Sequence, residues 1–331
     1  ATTIGREDYG FDPNGGFFDA LRQDPVLSGV RLIAEPWDIG PGGYRLGEFP
    51  PEFSEWNDAY RDSVRRYWRG DSHSAQELGA RLLGSADRFD QSGRRAWSSV
   101  NFVSSHDGFT LADITSYQHR QNALNTEDNR DGHHANYSDN CGAEGETADL
   151  RIRGRRSNRR RAMLATLFLS QGTPMLLAGD EIANSQGGNN NAYCQDNEIS
   201  WLDWSLLEKH TELHRFVKML IDYRLRLPER ADPGLSLSEV ISRARVQWHG
   251  AELSRPDWGH ESRSIAFTIE TPEKWYYLIF NAYWEPIEFE LPPLPDQFEP
   301  WHQMIDTDKE SPHDIGLGIP VQNQGVYDVQ A

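Results

Sequence analysis

Four short apolar runs punctuate the chain, each closed by polar or acidic residues. Val30-Arg31-Leu32-Ile33-Ala34 leads into Glu35-Pro36-Trp37, and a less apolar stretch covers Ser54-Glu55-Trp56-Asn57-Asp58. Val100-Asn101-Phe102-Val103-Ser104-Ser105 leads into His106-Asp107-Gly108, and Met175-Leu176-Leu177-Ala178 into Gly179-Asp180-Glu181. Such runs, bounded by Gly or Pro, predict buried parallel strands. Helical stripes lie between and after them. Tyr60, Val64, Tyr67 and Trp68 form one; Met163, Leu164, Leu167 and Phe168 form a second, stopped by Gly172 and Pro174. Leu213, Phe216, Val217, Leu220 and Ile221 form a third, stopped near Pro228. Strands alternating with helices predict a parallel α/β domain.

The pattern changes near Pro233. Ser264–Ile269, Trp275–Asn281 and Ile287–Leu291 alternate or run short, with Pro-rich breaks such as Leu291-Pro292-Pro293-Leu294-Pro295. They predict a small antiparallel β-domain, so the chain divides into 1–232 and 233–331. The ending at Val326–Ala331 reads as short of a last strand. The tract Gln118–Asp149 has almost no apolar residues. A loop of that length in a compact domain is functional or disordered, and its asparagines suit recognition of hydroxyl groups.

Composition narrows the function. Lys plus Arg is 33 against 51 Asp plus Glu, a net charge of -18. That balance argues against a nucleic-acid partner. The arginines at Arg151, Arg153, Arg155, Arg156, Arg159, Arg160 and Arg161 then read as the polar face of the helix carrying Met163. No apolar run is long enough to cross a bilayer, so no membrane role is expected. The two cysteines, Cys141 and Cys194, imply no disulfide framework and fit a reducing, cytoplasmic location. The 11 tryptophans admit two readings, core packing or stacking on sugar faces. Glu127–Gly132 resembles half of a calcium loop, but Ser138 stands where a bidentate Glu is needed. His133-His134 has no further metal ligand at useful spacing. No metal and no cofactor are expected.

Carboxylates at parallel strand ends converge on one face, where a barrel builds its active site. Glu35, Asp58, Asp107 and Asp180 all hold such positions. Glycoside hydrolysis needs two carboxyl groups across the scissile bond. Glu35 lies between Leu32-Ile33-Ala34 and Pro36-Trp37. Apolar surroundings disfavour its ionised form, as a general acid requires; pairing with an arginine is the bland alternative. His106-Asp107 could grip adjacent hydroxyls of one sugar ring, or Asp107 could cap the helix that begins near Leu111.

Several motifs carry a resemblance: Leu32-Ile33-Ala34-Glu35-Pro36-Trp37, Ser105-His106-Asp107-Gly108-Phe109-Thr110-Leu111, Gln171-Gly172-Thr173-Pro174-Met175 with Gly179-Asp180-Glu181, and Asn189-Asn190-Asn191-Ala192-Tyr193-Cys194-Gln195-Asp196-Asn197. Together they resemble the glycogen debranching enzymes and isoamylases of the α-amylase superfamily, from Ala1 to about residue 230. The resemblance implies the second half of a (β/α)8 barrel, strands five to eight, followed by a β-sandwich truncated at its end. It implies Glu35 as general acid/base and Asp107 as the carboxylate that stabilises the transition state, with His106 beside it. Trp37, Trp56, Asn57, Asp180, Glu181 and Tyr193 are implied to bind substrate.

The family's nucleophile is an aspartate expected about two residues before Ala1, so this stretch alone is expected to be inactive. The implied activity is retaining cleavage of α-1,6 branch linkages in glycogen or limit dextrin, with branched α-glucan as the partner. A starch isoamylase and a non-catalytic glucan-binding protein remain open alternatives.

Overall fold

The computed structural model describes residues 1–90, 94–226, 236–243, 245–271 and 274–330. The predicted parallel sheet is present in the order β1-β2-β3-β4: β1 Leu32–Ala34, β2 Phe53–Asn57, β3 Ser99–Asn101 and β4 Thr173–Pro174. Ala34 pairs with Glu55, Asn57 with Asn101, and Asn101 with Pro174. All four carboxyl ends therefore share one edge. The fourth strand lies earlier than the apolar run Met175–Ala178 suggests. Pro174 has no N–H for a ladder and closes the strand, though the Met175 amide still donates to the Asn101 carbonyl at 2.8 Å. Gly179, at φ +100, then turns the chain into Asp180–Ile182.

The longer helices among the described residues are α1 Asp58–Arg69, α2 Ser74–Leu82, α3 Leu150–Leu169 and α4 Thr211–Leu225. The second half is antiparallel. Strands β5 Arg245–His249, β6 Ser264–Glu270 and β7 Trp275–Asn281 form one sheet. Strand β8 Ile287–Glu290 pairs with β11 Val326–Val329, and β9 His302–Ile305 pairs with β10 Ile315–Pro320. In the first of these pairs Phe289 lies opposite Tyr327. The boundary placed at residues 232 and 233 lies outside the described residues. No helix among the described residues is long and apolar enough to cross a membrane.

One apolar cluster runs through both halves. Tyr60, Val64 and Tyr67 of α1, Leu78 of α2 and Phe216 and Leu220 of α4 are fully buried. They join Ile265, Phe267, Phe280 and Ile315 from the antiparallel strands. Tyr67 seals this junction: its hydroxyl donates to the Phe280 carbonyl at 2.8 Å and the Arg263 carbonyl at 2.9 Å. Its buried ring and satisfied hydroxyl are why an aromatic with a polar tip fits there. The arginine run of α3 divides: Arg151, Arg153 and Arg155 are exposed, while others reach protein carbonyls. Arg156 donates to the Gly145 carbonyl at 2.6 Å and the Asn140 carbonyl at 2.9 Å, and Arg161 to the Thr307 carbonyl at 2.8 Å.

Candidate active site

Because β1 to β4 are parallel, the segments after Ala34, Asn57, Asn101 and Pro174 open on the same side. Glu35 follows β1 directly and is half-buried. Its backbone carbonyl accepts from the Ala1 backbone nitrogen at 2.9 Å. Trp37, two residues on, is also half-buried. Asp38 anchors this corner. Arg6 donates to both its carboxylate oxygens, at 2.7 and 3.2 Å, and Thr3 donates to it at 2.9 Å. That arginine holds the Asp38 carboxyl at about 2.

The loop after β3 presents His106 and Asp107 to solvent, with 3.7 Å between imidazole Nε2 and a carboxylate oxygen. Trp56 of β2 stands edge-on to the His106 ring at 5.8 Å and tilts against Phe102. Trp56, His106 and Asp107 therefore form one wall. The strands carrying Glu35 and Asp107 have a single strand between them, a spacing of about 10 Å. His133, from the long polar loop, closes on this wall: a side chain at Gly108 would meet its Cδ2 at 4.0 Å. Burial, then Arg61 and Arg65, push the His133 pKa down, with Asp107 and Asp62 opposing.

Two residues expected to touch substrate face inward instead. Asn57 is fully buried. Its amide donates to Ser85 Oγ and Ser99 Oγ, both at 2.9 Å, and its oxygen caps α1 at the Tyr60 N–H. Asp180 is 2% exposed, accepts from Ser104 Oγ, and accepts from the Leu111 N–H at 2.9 Å. These bonds clamp both ends of the segment that carries His106 and Asp107. Both side chains are engaged by bonds within the protein. Burial pushes the Asp180 pKa up to about 7, with Glu181 adding to the rise and Arg65 opposing it.

Glu181 is half-buried and accepts from the Gly179 N–H at 2.8 Å. Tyr193 is 72% exposed and donates to Glu127 at 3.1 Å. Asp58 lies on the same edge, accepting from the Tyr44 hydroxyl at 2.8 Å, with burial raising its pKa.

The long polar loop is held by amide pairs. Asn190 accepts from Asn122 at 2.8 Å, donates to Asn136 Oδ1 at 2.8 Å, and donates to the His133 carbonyl at 2.9 Å. Asn125 and Asn191 both donate to Asp131, at 2.7 and 2.8 Å. Gly132, at φ +74, admits no side chain, since a Cβ would collide with Asn190. No group of three or more His, Cys, Asp or Glu among the described residues is placed to hold a metal ion.

The fold has counterparts among solved pullulanase structures. A type I pullulanase of Bacillus subtilis, complexed with maltose, superposes with a TM-score of 0.64 at 20% identity, over 94% of this chain and 39% of that one. A pullulanase of Bacillus acidopullulyticus gives 0.63 at 17% identity, over 92% of this chain and 34% of that one. The chain thus has an α-amylase-like fold.

Sequence narrows the class. The chain is 44% identical to a glycogen operon protein GlgX homolog of Mycobacterium tuberculosis, over 88% of this chain and 43% of that protein. It is 45% identical to a glycogen debranching enzyme of Serratia proteamaculans, over 85% of this chain and 42% of that one. It is 40% identical to the chloroplastic isoamylase SU1 of Zea mays, over 93% of this chain and 39% of that one. Residues 247–322 match the family model for the C-terminal region of isoamylases 1–3. The chain belongs to the glycogen debranching enzyme and isoamylase family. It spans roughly two fifths of these relatives' lengths, 39–43%.

Proposed function

We propose that the protein is an α-glucan debranching hydrolase cleaving α-1,6 branch linkages of glycogen or its limit dextrins with retention. The observation that carries this reading is the shared strand edge bearing Glu35 and the exposed His106–Asp107 pair beside Trp56. Its support is the 44–45% identity to glycogen-operon relatives.

Glu35 is assigned as general acid: it protonates the branch-point oxygen as the glycosidic bond breaks, then takes a proton from the incoming water. Asp107 grips the sugar hydroxyls and stabilises the oxocarbenium-like state, and His106 donates alongside it. Trp37 and Trp56 offer faces for the ring to lie against. Retention requires a second carboxylate about 5–5.5 Å from the acid. The full-length gene product is expected to bring that nucleophile beside β1. Residues 1–232 are read as strands five to eight of the barrel with their helices, and 233–331 as the β-sandwich that follows. A starch isoamylase is the second reading, favoured by the family match at residues 247–322.

The test is Glu35→Gln in the full-length gene product. Release of reducing ends from a branched limit dextrin should fall by about 10²–10⁴-fold, the usual worth of a general acid. Binding of the dextrin should survive. Near-normal turnover would remove Glu35 from the mechanism. Comparing long-branched amylopectin with limit dextrin separates the two substrates.

A further inference from the structure

Most arginines of α3 have partners within the protein. Arg156 and Arg161 donate to carbonyls, and Arg155 donates to the Cys141 carbonyl at 3.2 Å. Arg159 pairs with Asp139, and Arg151 reaches Asp149 at 3.4 Å. Arg153 and Arg160 differ: among the described residues neither makes a hydrogen bond or an ion pair, and the Arg160 Nε is buried. We propose that Arg153, Arg160, Lys209 and His210 form a binding site for a phosphate group, free or carried as a monoester on a small molecule. The site goes beyond the glucan reading and does not depend on it.

The two helices bring these side chains together. Positions 153 and 160 are seven apart, two turns and about 10 Å along the axis, so they share one face of α3. Leu164, Leu167 and Phe168 continue that face into the core beside Phe216 and Leu220 of α4. Past the end of α3 the Gly172 carbonyl accepts from Arg224, near the end of α4, at 2.7 Å. The helices therefore run parallel, and their starts also meet. Lys209 and His210 stand just before α4, where Arg160, Lys209 and Arg153 all act on the His210 imidazole. Arg153 and Lys209 are exposed, so the cluster opens to solvent.

Among the described residues no carboxylate pairs with any of the four, although the chain carries 51 Asp and Glu. Glu212 acts on Arg161 instead, and Asp203, drawn toward Lys209, already accepts from the Ser205 N–H at 2.9 Å. Burial pulls the Arg160 pKa down to about 10, with Arg156, Arg161 and Arg153 adding to the fall and Cys141 opposing it. A guanidinium drawn out of water without a partner destabilises the fold until an anion joins it. Two guanidinium forks, an ammonium and an imidazole present more donors than the two oxygens of a carboxylate can take. A phosphate monoester presents three acceptor oxygens and a charge of about -2, which suits the cluster better.

The experiment titrates sodium phosphate and glycerol 3-phosphate, a monoester with no sugar ring, into the full-length gene product by calorimetry. Ionic strength is held constant with sodium chloride, and sodium acetate is the carboxylate control. The variants are Arg160→Met, Arg153→Gln and, on the opposite face of α3, Arg151→Gln. The first two should each weaken phosphate by about ten- to hundredfold, the equivalent of a lost charge-assisted hydrogen bond, and Arg151→Gln should not. Tighter binding of glycerol 3-phosphate than of phosphate supports a carried monoester; the reverse supports the free ion. Urea midpoints give a second readout. In phosphate-free buffer Arg160→Met should unfold no earlier than wild type, and phosphate should raise the midpoint of wild type but not of the variant. Three results would each overturn the proposal: phosphate bound no more tightly than acetate, affinity unchanged in both arginine variants, or Arg160→Met much less stable than wild type without phosphate. The last would show that Arg160 is already paired within the folded chain.

Discussion

Glu55 and Arg94 offer the sharpest test of how the site's floor is held. Glu55 lies inside β2, opposite Ala34, and its side chain is fully buried. Its ion-pair partner, Arg94, is 1% exposed. The other carboxylate oxygen accepts from the Gly47 N–H at 2.6 Å. Arg94 also donates to the carbonyls of Phe49 and Pro50, the latter at 2.9 Å. Even with this partner, burial pushes the Glu55 pKa above the ordinary carboxylate range. Arg94→Met keeps the apolar stem and removes the charge. It leaves a buried carboxylate unpaired and two loop carbonyls short of a donor, at a cost of about 3–5 kcal/mol.

The sign with pH follows. Without Arg94 the folded state holds a proton on Glu55 that the unfolded chain releases above about pH 4.3. Stability of the variant therefore falls as pH rises, and its deficit should be larger at pH 8 than at pH 5. Urea midpoints of wild type and variant at both pH values give the deficit. Adding Glu55→Met to Arg94→Met should recover most of it, since an apolar pair in that space is close to neutral. A single-variant cost below about 1 kcal/mol, or one independent of pH, would refute the reasoning.

Asp180→Asn should act with the opposite benefit. The folded carboxyl titrates at about 7, above the unfolded value, so wild-type stability declines as pH rises from about 4 to 7. Asparagine keeps an acceptor for the Leu111 N–H and carries no charge. It should be worth up to about 4 kcal/mol at pH 8 and almost nothing at pH 4, read from urea midpoints; an unchanged pH slope would count against a buried titrating Asp180. Asn190→Ala removes three hydrogen bonds made by one buried side chain. Amide exchange across 118–136 should quicken, with a smaller change in global melting; unchanged exchange there would show that the amide pairs do not hold the loop.

The backbone plan was legible because its signals are local. Apolar runs ending in carboxylates marked the carboxyl ends of β1 and β2, β3 ends at Asn101, before the run it begins is over, and the three helical stripes fall inside α1, α3 and α4. What stayed hidden depends on partners far along the chain. Glu55 looks like any polar residue interrupting a weak strand, and its partner is 39 residues away. Gly179-Asp180-Glu181 offers two adjacent carboxylates, and nothing local says which turns inward. That choice is made by Leu111 and Ser104, 69 and 76 residues off. β11 escaped notice because its four residues alternate polarity too weakly to stand out without β8 beside them.

The asparagine-rich loop carries the same lesson into function. A tract with so few apolar residues can order itself little by burial, so hydropathy alone reads it as solvated. Here order comes from amides facing amides across 54 to 68 residues, which is why the asparagines of 189–191 and those of 118–149 make sense only together. Amide pairs suit a sugar site for a physical reason. An apolar support would leave nothing to orient the rim, whereas a fully paired polar support fixes the carbonyls and ring nitrogens there. The cost is exposure to competing water. The loop must therefore be paired nearly throughout to hold its shape, and loss of one buried member such as Asn190 should loosen the rim and the His133 contact beside Asp107 together.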